Sequence, residues 1–400
     1  MNGKDVNVDE AVKFMSGFVD FITEASQSYV YFFRSGAFNA TQHSDVDGRI
    51  NKALKYLRCQ HINASIMPIY LAVMNSFYQP LPQDMTDEVR VKRVADLLEL
   101  LEIVNMRVYI LPGITNRADS HQGVLFSLAN MFYQSPDWVM GDGEEEEITH
   151  FGSMIHPIGS TIYDWLELEL RQLVLNVCPE KRIVETLTIS TNPGIDFYQH
   201  WHAGMRYFLA CYEEDIRKSI KKRFEVENIL ITREESKEAS NEYLSLEHLW
   251  ARQNRSEDFP GDDISKRRLG NFVLMGLSSN ISQQNYDLED KVLKLVEISE
   301  SVEGSLDLKQ VRDLPSDLAS AMATPQMRGW QKRRKNFYWD QATALCDFRE
   351  EKMIRFALKR WALPKERMKL FVGLDSFKAR AERQEYYHFF KDGSQTDSED

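Results

Sequence analysis

The stretch EYLSLEHLWARQ, residues 242–253, decides the fold of the region that follows it. Its apolar and aromatic residues are typical of a strand, and Glu247 and His248 stand side by side within it. A polar loop at 252–268 contains Pro-Gly and Asp-Asp, and LGNFVLM at 269–275 is a second strand candidate. Residues 278–300 then read as a loop entering a helix. The sequence therefore predicts the order strand, loop, strand, helix.

The rest of the chain has the periodicity of helices. Residues 8–33, VDEAVKFMSGFVDFITEASQSYVYFF, carry apolar side chains at a spacing of three to four, and several later runs in the first half repeat this pattern. Residues 336–363 form one long amphipathic candidate that ends before Pro364. We predict a mainly α protein, with a helical N-terminal domain followed by a helical domain that carries the small strand–strand–helix unit.

The length of the chain predicts more than one domain. A chain of 400 residues exceeds what one core usually accommodates, so we expect domains at residues 1–200 and 201–390. The final segment, residues 391–400, has the sequence KDGSQTDSED without large apolar side chains. We expect this segment to be a disordered tail.

The overall composition excludes several classes of protein. No apolar run is long enough to span a membrane, and the polar N-terminus does not resemble a secretion signal. The four cysteines are far apart and form no C-x-x-C motif, which argues for a reducing, cytoplasmic setting. The formal net charge of −12 argues against a surface coated in nucleic acid, although a local basic groove remains compatible with it.

Familiar catalytic motifs are missing from the sequence. It contains no phosphate-binding loop, no dinucleotide fingerprint, no H-E-x-x-H and no G-x-S-x-G elbow. His200 and His202 form an H-x-H pair, but a helix follows them and no third ligand is suitably spaced, so we expect structural roles. Residues 140–152 include four consecutive glutamates and are expected to form a solvated loop.

The predicted strand–loop–strand–helix region contains the parts needed to hydrolyse a phosphodiester. Glu247 offers hard oxygen ligands suited to Mg²⁺ or Mn²⁺, and His248 is a candidate base for activating water. His248 points away from Glu247 if the strand is regular, or into the same cleft if a bulge intervenes. Asn271 is placed to bridge the loop by hydrogen bonds, and Asn280 offers a carbonyl oxygen to the same cation.

These residues and their order resemble the HNH, or ββα-metal, motif of the His-Me finger nucleases. More narrowly, residues 205–363 are similar to the C-terminal nuclease domain of GmrSD-type modification-dependent restriction endonucleases. The matching positions are Leu246, Glu247, His248, Leu269, Gly270, Asn271, Asn280, Asn285 and Lys291. The family's Leu-Pro-Gln after the histidine is replaced by Trp250-Ala251-Arg252, and its nucleotide-hydrolysing N-terminal domain has no recognisable counterpart.

The resemblance implies a role for each matched residue. His248 would be the general base, Asn271 would orient the loop that carries it, and Glu247 and Asn280 would hold one divalent cation, Mg²⁺ or Mn²⁺. Lys291 would either touch a phosphate or lie on a solvated helix face. The residues expected to contact nucleic acid are Lys266, Arg267, Arg268, Asn285, Lys291, Arg334 and Arg349.

The predicted function is that of a DNA endonuclease in restriction or antiviral defence, acting on DNA that includes modified phage DNA. A separate nucleotide-hydrolysing subunit is an expected partner, as is a second copy of the chain. Residues 1–200 would bind DNA or a partner. Two alternatives remain open at this stage: an inactive DNA- or protein-binding module on the same fold, and an RNA-cleaving toxin that uses the same residues.

Overall fold

The computed structural model describes residues 8–34, 38, 39, 41, 44–82, 85–139, 159–188, 196–218, 226, 230, 245–250, 265–275, 288–301, 308–323 and 337–364. These residues are mostly helical, which confirms the mainly α prediction. They divide into two compact units. The first unit draws on residues 8–106, 116–176 and 363–364, and the second draws on residues 107–115 and 177–362.

The bounds of these units differ from the predicted domains 1–200 and 201–390. Residues 177–188 and 196–200 belong with the second unit, and so does the short segment 107–115. The predicted tail, residues 391–400, lies outside the described residues. No described helix is both long enough and apolar enough to cross a membrane. The four cysteines, all of them described, are buried, and none is in a disulfide.

The described part of the first unit is built from helices, joined by turns, with one isolated β-bridge between Val139 and Thr161. Its helices are α1 (Val8–Phe33), α2 (Ser44–Cys59), α3 (Met67–Asn75), α4 (Asp87–Val104), α5 (Gln122–Gln134) and α6 (Ile162–Val177), with a 3₁₀ turn at Ser76–Tyr78. A π-helical segment, Asn105–Ile110, follows α4. Helix α2 packs against α4, α3 packs against α5, and α1 packs against α3.

Local signals explain where α4 begins. The Thr86 hydroxyl oxygen accepts a hydrogen bond from the backbone N–H of Val89 at 3.3 Å, and Asp87 and Glu88 lie in the first turn. Acidic side chains at this end are favoured by the helix dipole. Farther along α4, the Arg93 guanidinium lies 3.1 Å from the Glu167 carboxylate of α6, so a buried ion pair joins the two helices.

The second unit carries the small sheet. Its elements are α7 (Glu180–Leu187), α8 (Phe197–His200), α9 (His202–Arg217), β1 (Ser245–His248), β2 (Phe272–Met275), α10 (Leu288–Ser301), α11 (Lys309–Arg312), α12 (Leu314–Met322) and α13 (Phe337–Arg360). Two 3₁₀ turns, Ser265–Arg267 and Leu269–Asn271, lead into β2. The LGN sequence is therefore a turn, and only FVLM of the predicted second strand is extended.

Packing around β2 explains the glycine of the LGN turn. Helix α13 packs on α12 and on the turn Leu269–Asn271. A Cβ atom at Gly270 would overlap the backbone carbonyl oxygen of Cys346 in α13. Because backbone atoms in the middle of a helix cannot easily move aside, this approach requires glycine.

Candidate functional site

The two strands pair antiparallel in a regular register. Glu247 lies opposite Val273, and His248 lies opposite Phe272. Successive side chains of a regular strand point to opposite faces. Of the two geometries considered from the sequence, the structure therefore has the regular one, with the side chains of Glu247 and His248 on opposite faces of β1.

Glu247 is paired with a lysine from the helix after β2. The Lys291 Nζ atom of α10 lies 2.5 Å from Glu247 Oε1 and donates a hydrogen bond of 2.5 Å to the backbone carbonyl of His248. Both side chains are buried, with 7% of Glu247 and 2% of Lys291 exposed. Burial raises the pKa of Glu247, and the charge of Lys291 opposes this shift. Lys291 thus lies neither on a solvated face nor at a surface that nucleic acid would reach.

His248 is half-buried among aromatic rings on the other face of β1. Its ring centroid lies 4.6 Å from that of Phe272, its cross-strand neighbour, and 5.0 Å from that of Tyr198 in α8. Tyr198 and Phe272 are themselves stacked, with 14° between their ring planes. The imidazole is therefore bordered by two rigid rings, which restrict its orientation.

Asn271 ties the end of β1 to the turn before β2. Its Oδ1 atom accepts a hydrogen bond from the backbone N–H of Trp250 at 2.7 Å, and its Nδ2 atom donates to the Trp250 carbonyl at 3.1 Å. Nδ2 also donates to the Lys266 carbonyl at 2.8 Å, and the Asn271 carbonyl accepts from Leu249 N–H at 2.9 Å. Asn271 thus fixes the chain that directly follows His248.

Arg349 is buried behind the sheet, which corrects its predicted contact with nucleic acid. Only 2% of the residue is exposed. Its guanidinium donates to the backbone carbonyls of Gly270 at 2.9 Å and Phe272 at 3.0 Å, and it approaches Asp317 at 3.5 Å. These groups occupy its donors inside the unit, so Arg349 supports the turn and β2.

Arg268 is also held within the second unit. It forms two hydrogen bonds to the Glu350 carboxylate, at 2.8 and 3.2 Å, and an ion pair with Asp347 at 2.5 Å. Burial raises the pKa of Glu350, and the Arg268 guanidinium opposes that shift. The predicted role of Arg268 as a phosphate contact does not match this placement, because both carboxylates compete for its charge.

The other two basic residues of the turn differ in exposure. Lys266 is buried, and its ammonium lies 5.5 Å from the centroid of the Trp250 ring. This is a cation–π contact rather than a surface position. Arg267 keeps 32% of its side chain exposed, and its Nε atom is 3.9 Å from the Asp196 carboxylate. Of the described residues predicted to contact nucleic acid, Arg267 is therefore the most accessible.

The sequence interpretation did not identify the aromatic group beside His248. The Tyr198 ring lies between His248 and His202, whose ring centroid is 5.3 Å from that of Tyr198. Burial lowers the pKa of His202, and the neighbouring Arg206 lowers it further. The H-x-H spacing marks His200 and His202 in the sequence. Tyr198, whose ring contacts both His202 and His248, belongs to no recognisable motif.

The remaining predicted site residues, Asn280, Asn285 and Arg334, lie outside the described residues. Within the described part, no three His, Cys, Asp or Glu side chains are grouped to hold a metal ion. One property of Glu247 suits a cation ligand: its carboxylate is buried, and a buried carboxylate needs a compensating positive charge nearby. Lys291 now supplies that charge, so the ammonium and a cation would compete for the same oxygens.

Comparisons with known proteins give no family for this chain. No family model, no curated protein and no solved structure matches it.

Proposed function

We propose that this chain is a metal-dependent endonuclease that hydrolyses phosphodiester bonds in DNA, with its active centre at β1, β2 and α10. The strand–strand–helix order supports the proposal. The observation that carries it is the Asn271 side chain, which binds both backbone groups of Trp250. This is the bridge that a nuclease of this type needs to hold its histidine-bearing strand end.

In the proposed reaction, His248 accepts the proton of the attacking water at a ring nitrogen. The rings of Tyr198 and Phe272 hold the imidazole in place, so little orientational freedom is lost on reaching the transition state. A divalent cation bound by Glu247 and Asn280 would neutralise charge on the phosphate and on the leaving oxygen. β1 ends at His248, so the imidazole lies at the end of the strand, where a phosphate would approach.

The resemblance further suggests restriction of foreign DNA, with a nucleotide-hydrolysing partner supplied by another chain. Arg267 would contribute a contact to the DNA backbone, since its side chain is partly exposed beside the turn that leads to β2. Such a contact would position the duplex without reading its sequence.

One observation favours a second candidate, a binding module without catalytic activity. Glu247 is already neutralised by Lys291. If this pair persists in the presence of cations, the site would bind no metal and the fold would serve only to bind DNA or protein.

Cleavage of supercoiled plasmid in Mg²⁺ or Mn²⁺ tests the proposal. We expect nicked or linear products from the wild-type chain and none from His248→Ala, with unchanged circular dichroism. His200→Ala is the matched control, since His200 is exposed on α8 and should keep full activity. Binding without cleavage by the wild type would support the second candidate. Equal cleavage by His248→Ala would refute the assignment of the base, and cleavage of RNA alone would establish the RNA-cutting alternative.

A further inference from the structure

Helix α1 carries a row of exposed apolar side chains. Val12, Met15, Val19, Ile22, Tyr29 and Phe33 are each between 45% and 62% exposed. Their spacing alternates between three and four residues, with one interruption at Ser26. This is the a and d pattern of a coiled-coil seam, continued over three heptads. We call these six residues and Ser26 the α1 seam.

The C-terminal half of α1 packs into the first unit through the side opposite the α1 seam. Ser28 is buried and donates a hydrogen bond of 2.6 Å to Asn75 Oδ1, while its carbonyl accepts from the Tyr70 hydroxyl. Phe32 is buried against Tyr70, with 5.3 Å between the ring centroids. The α1 seam is therefore an additional apolar face and not part of the core of this unit.

The exposed apolar side chains run along most of α1. The α1 seam and Val30 together supply seven of them, including the rings of Tyr29 and Phe33, toward an interface that in standard cases buries roughly 800 Å² per partner. Isolated monomers seldom expose a contiguous apolar patch of this extent. A partner that covers this face would remove it from water.

We propose that the α1 seam binds the α1 seam of a second copy of this chain and forms a homodimer. A heptad seam is self-complementary, because a and d side chains of one helix fit between those of an identical helix about a two-fold axis. The exposed residues at the flanking e and g positions are uncharged: Ser16, Phe18, Thr23 and Val30. In a chain with a net charge of −12, this neutral strip is where two copies meet without repulsion.

The charges of α1 make a membrane surface the weaker alternative. Helices that lie on anionic membranes carry several Lys or Arg residues on their polar face. Helix α1 has one such residue, Lys13, along with the acidic residues Asp9, Glu10, Asp20 and Glu24. The composition of α1 therefore favours a protein partner with an uncharged apolar surface, as a second copy provides.

Sedimentation velocity of the full chain at micromolar concentrations tests the dimer. We expect a dimer for the wild type and a monomer for the double variant Val19→Glu and Ile22→Glu. Val89→Glu is the matched control: Val89 is 45% exposed on α4, lies outside the α1 seam, and should leave the dimer intact. Circular dichroism should be unchanged in all variants, because the substituted side chains are exposed in the monomer. The melting temperature should rise with protein concentration in the wild type and in Val89→Glu, and this dependence should be lost in the double variant.

Three results would overturn the proposal. One is a wild-type monomer throughout the concentration range. Another is a dimer that persists in the double variant. The third is a monomer that binds vesicles of anionic phospholipid and loses this binding in the double variant, because the α1 seam would then be a membrane contact. None of these measurements depends on nuclease activity, so the dimer and the proposed function succeed or fail separately.

Discussion

The carboxamide of Asn271 binds both the backbone N–H and the backbone carbonyl of Trp250, at 2.7 and 3.1 Å. Trp250 lies where the chain departs from the Leu-Pro-Gln of the resembling nucleases, yet its backbone is held at two points and its side chain is buried. The departure therefore changes the side chain at this position while the end of β1 remains fixed.

Replacing Asn271 by alanine should destabilise the second unit and abolish DNA cleavage. The substitution leaves buried backbone groups of Trp250 and Lys266 without partners, at about 1–3 kcal/mol for each unsatisfied group. Denaturant unfolding measures the loss. Asn105→Ala is a matched control, because Asn105 is equally buried and bonds Gln60 and Asn63 in the first unit. It should reduce stability but leave cleavage by the folded protein intact; equal loss of cleavage in both variants would argue against a specific role for Asn271.

Gly270→Ala should destabilise the protein by about 1–3 kcal/mol, the usual cost of overpacking. The added methyl group meets the backbone of Cys346, which cannot move without distorting α13. Gly48→Ala provides the comparison, since no atom lies near its added Cβ and alanine favours the interior of α2. Thermal melting should show a lower midpoint for Gly270→Ala and an unchanged or higher one for Gly48→Ala. Equal midpoints would contradict the close approach.

Lys291→Met should cost about 3–5 kcal/mol, because it leaves the buried Glu247 carboxylate without its positively charged partner. The double variant Glu247→Gln and Lys291→Met should recover part of this loss, which a double-mutant cycle measures by urea unfolding. Lys218→Met, which breaks an exposed ion pair with Asp215, should change stability by less than about 1 kcal/mol. Additive effects of the two buried substitutions would show that the pair is not coupled.

The same lysine variant tests whether Glu247 is a cation ligand. In Lys291→Met, a cation no longer competes with the ammonium, so added Mn²⁺ should raise the melting temperature more than it does in the wild type. The double variant with Glu247→Gln should lose this response. A Mn²⁺ response that is the same in all three proteins would exclude Glu247 as the ligand.

Arg268→Met should make stability fall as pH rises. Burial raises the pKa of Glu350, and without the opposing guanidinium this pKa rises further. The folded state then holds a proton that the unfolded chain, with a pKa near 4.5, releases. The contribution of Glu350 to stability is therefore present below that value and is lost as pH rises through the folded pKa, so the unfolding free energy should decrease as pH rises above about 4.5.

A second arginine on α13 gives the control for this pH dependence. Arg355 pairs with Glu351 at 2.5 Å on the exposed side of the helix. Because solvent screens this pair, Arg355→Met should shift stability by less than about 1 kcal/mol and should not change its pH profile. Parallel profiles for Arg268→Met and the wild type would contradict the placement of Arg268 against Glu350.

The sequence by itself determined the helical class and the order strand, strand, helix in the second half. Apolar periodicity is local, so residues 8–33 and 336–363 predicted α1 and α13 closely. The adjacent Glu247 and His248 were also visible locally, whereas LGN was predicted as part of the strand and is a 3₁₀ turn. The position of Asn271, directly before an apolar strand, was enough to predict that it would bridge the loop, and the described hydrogen bonds are consistent with that bridge.

Only the tertiary structure decided which partner each of these side chains meets. A regular register with β2, rather than any local preference, put Glu247 and His248 on opposite faces. All three cations were expected to contact nucleic acid. In the structure, Lys291 and Arg349 are buried, and Arg268 is paired with Asp347 and Glu350. Tyr198 reaches His248 from a helix that is far away in sequence. The local sequence around a charged helix residue is the same whether its side chain is solvated or is paired with a buried carboxylate. Long-range packing therefore decides the role of that side chain.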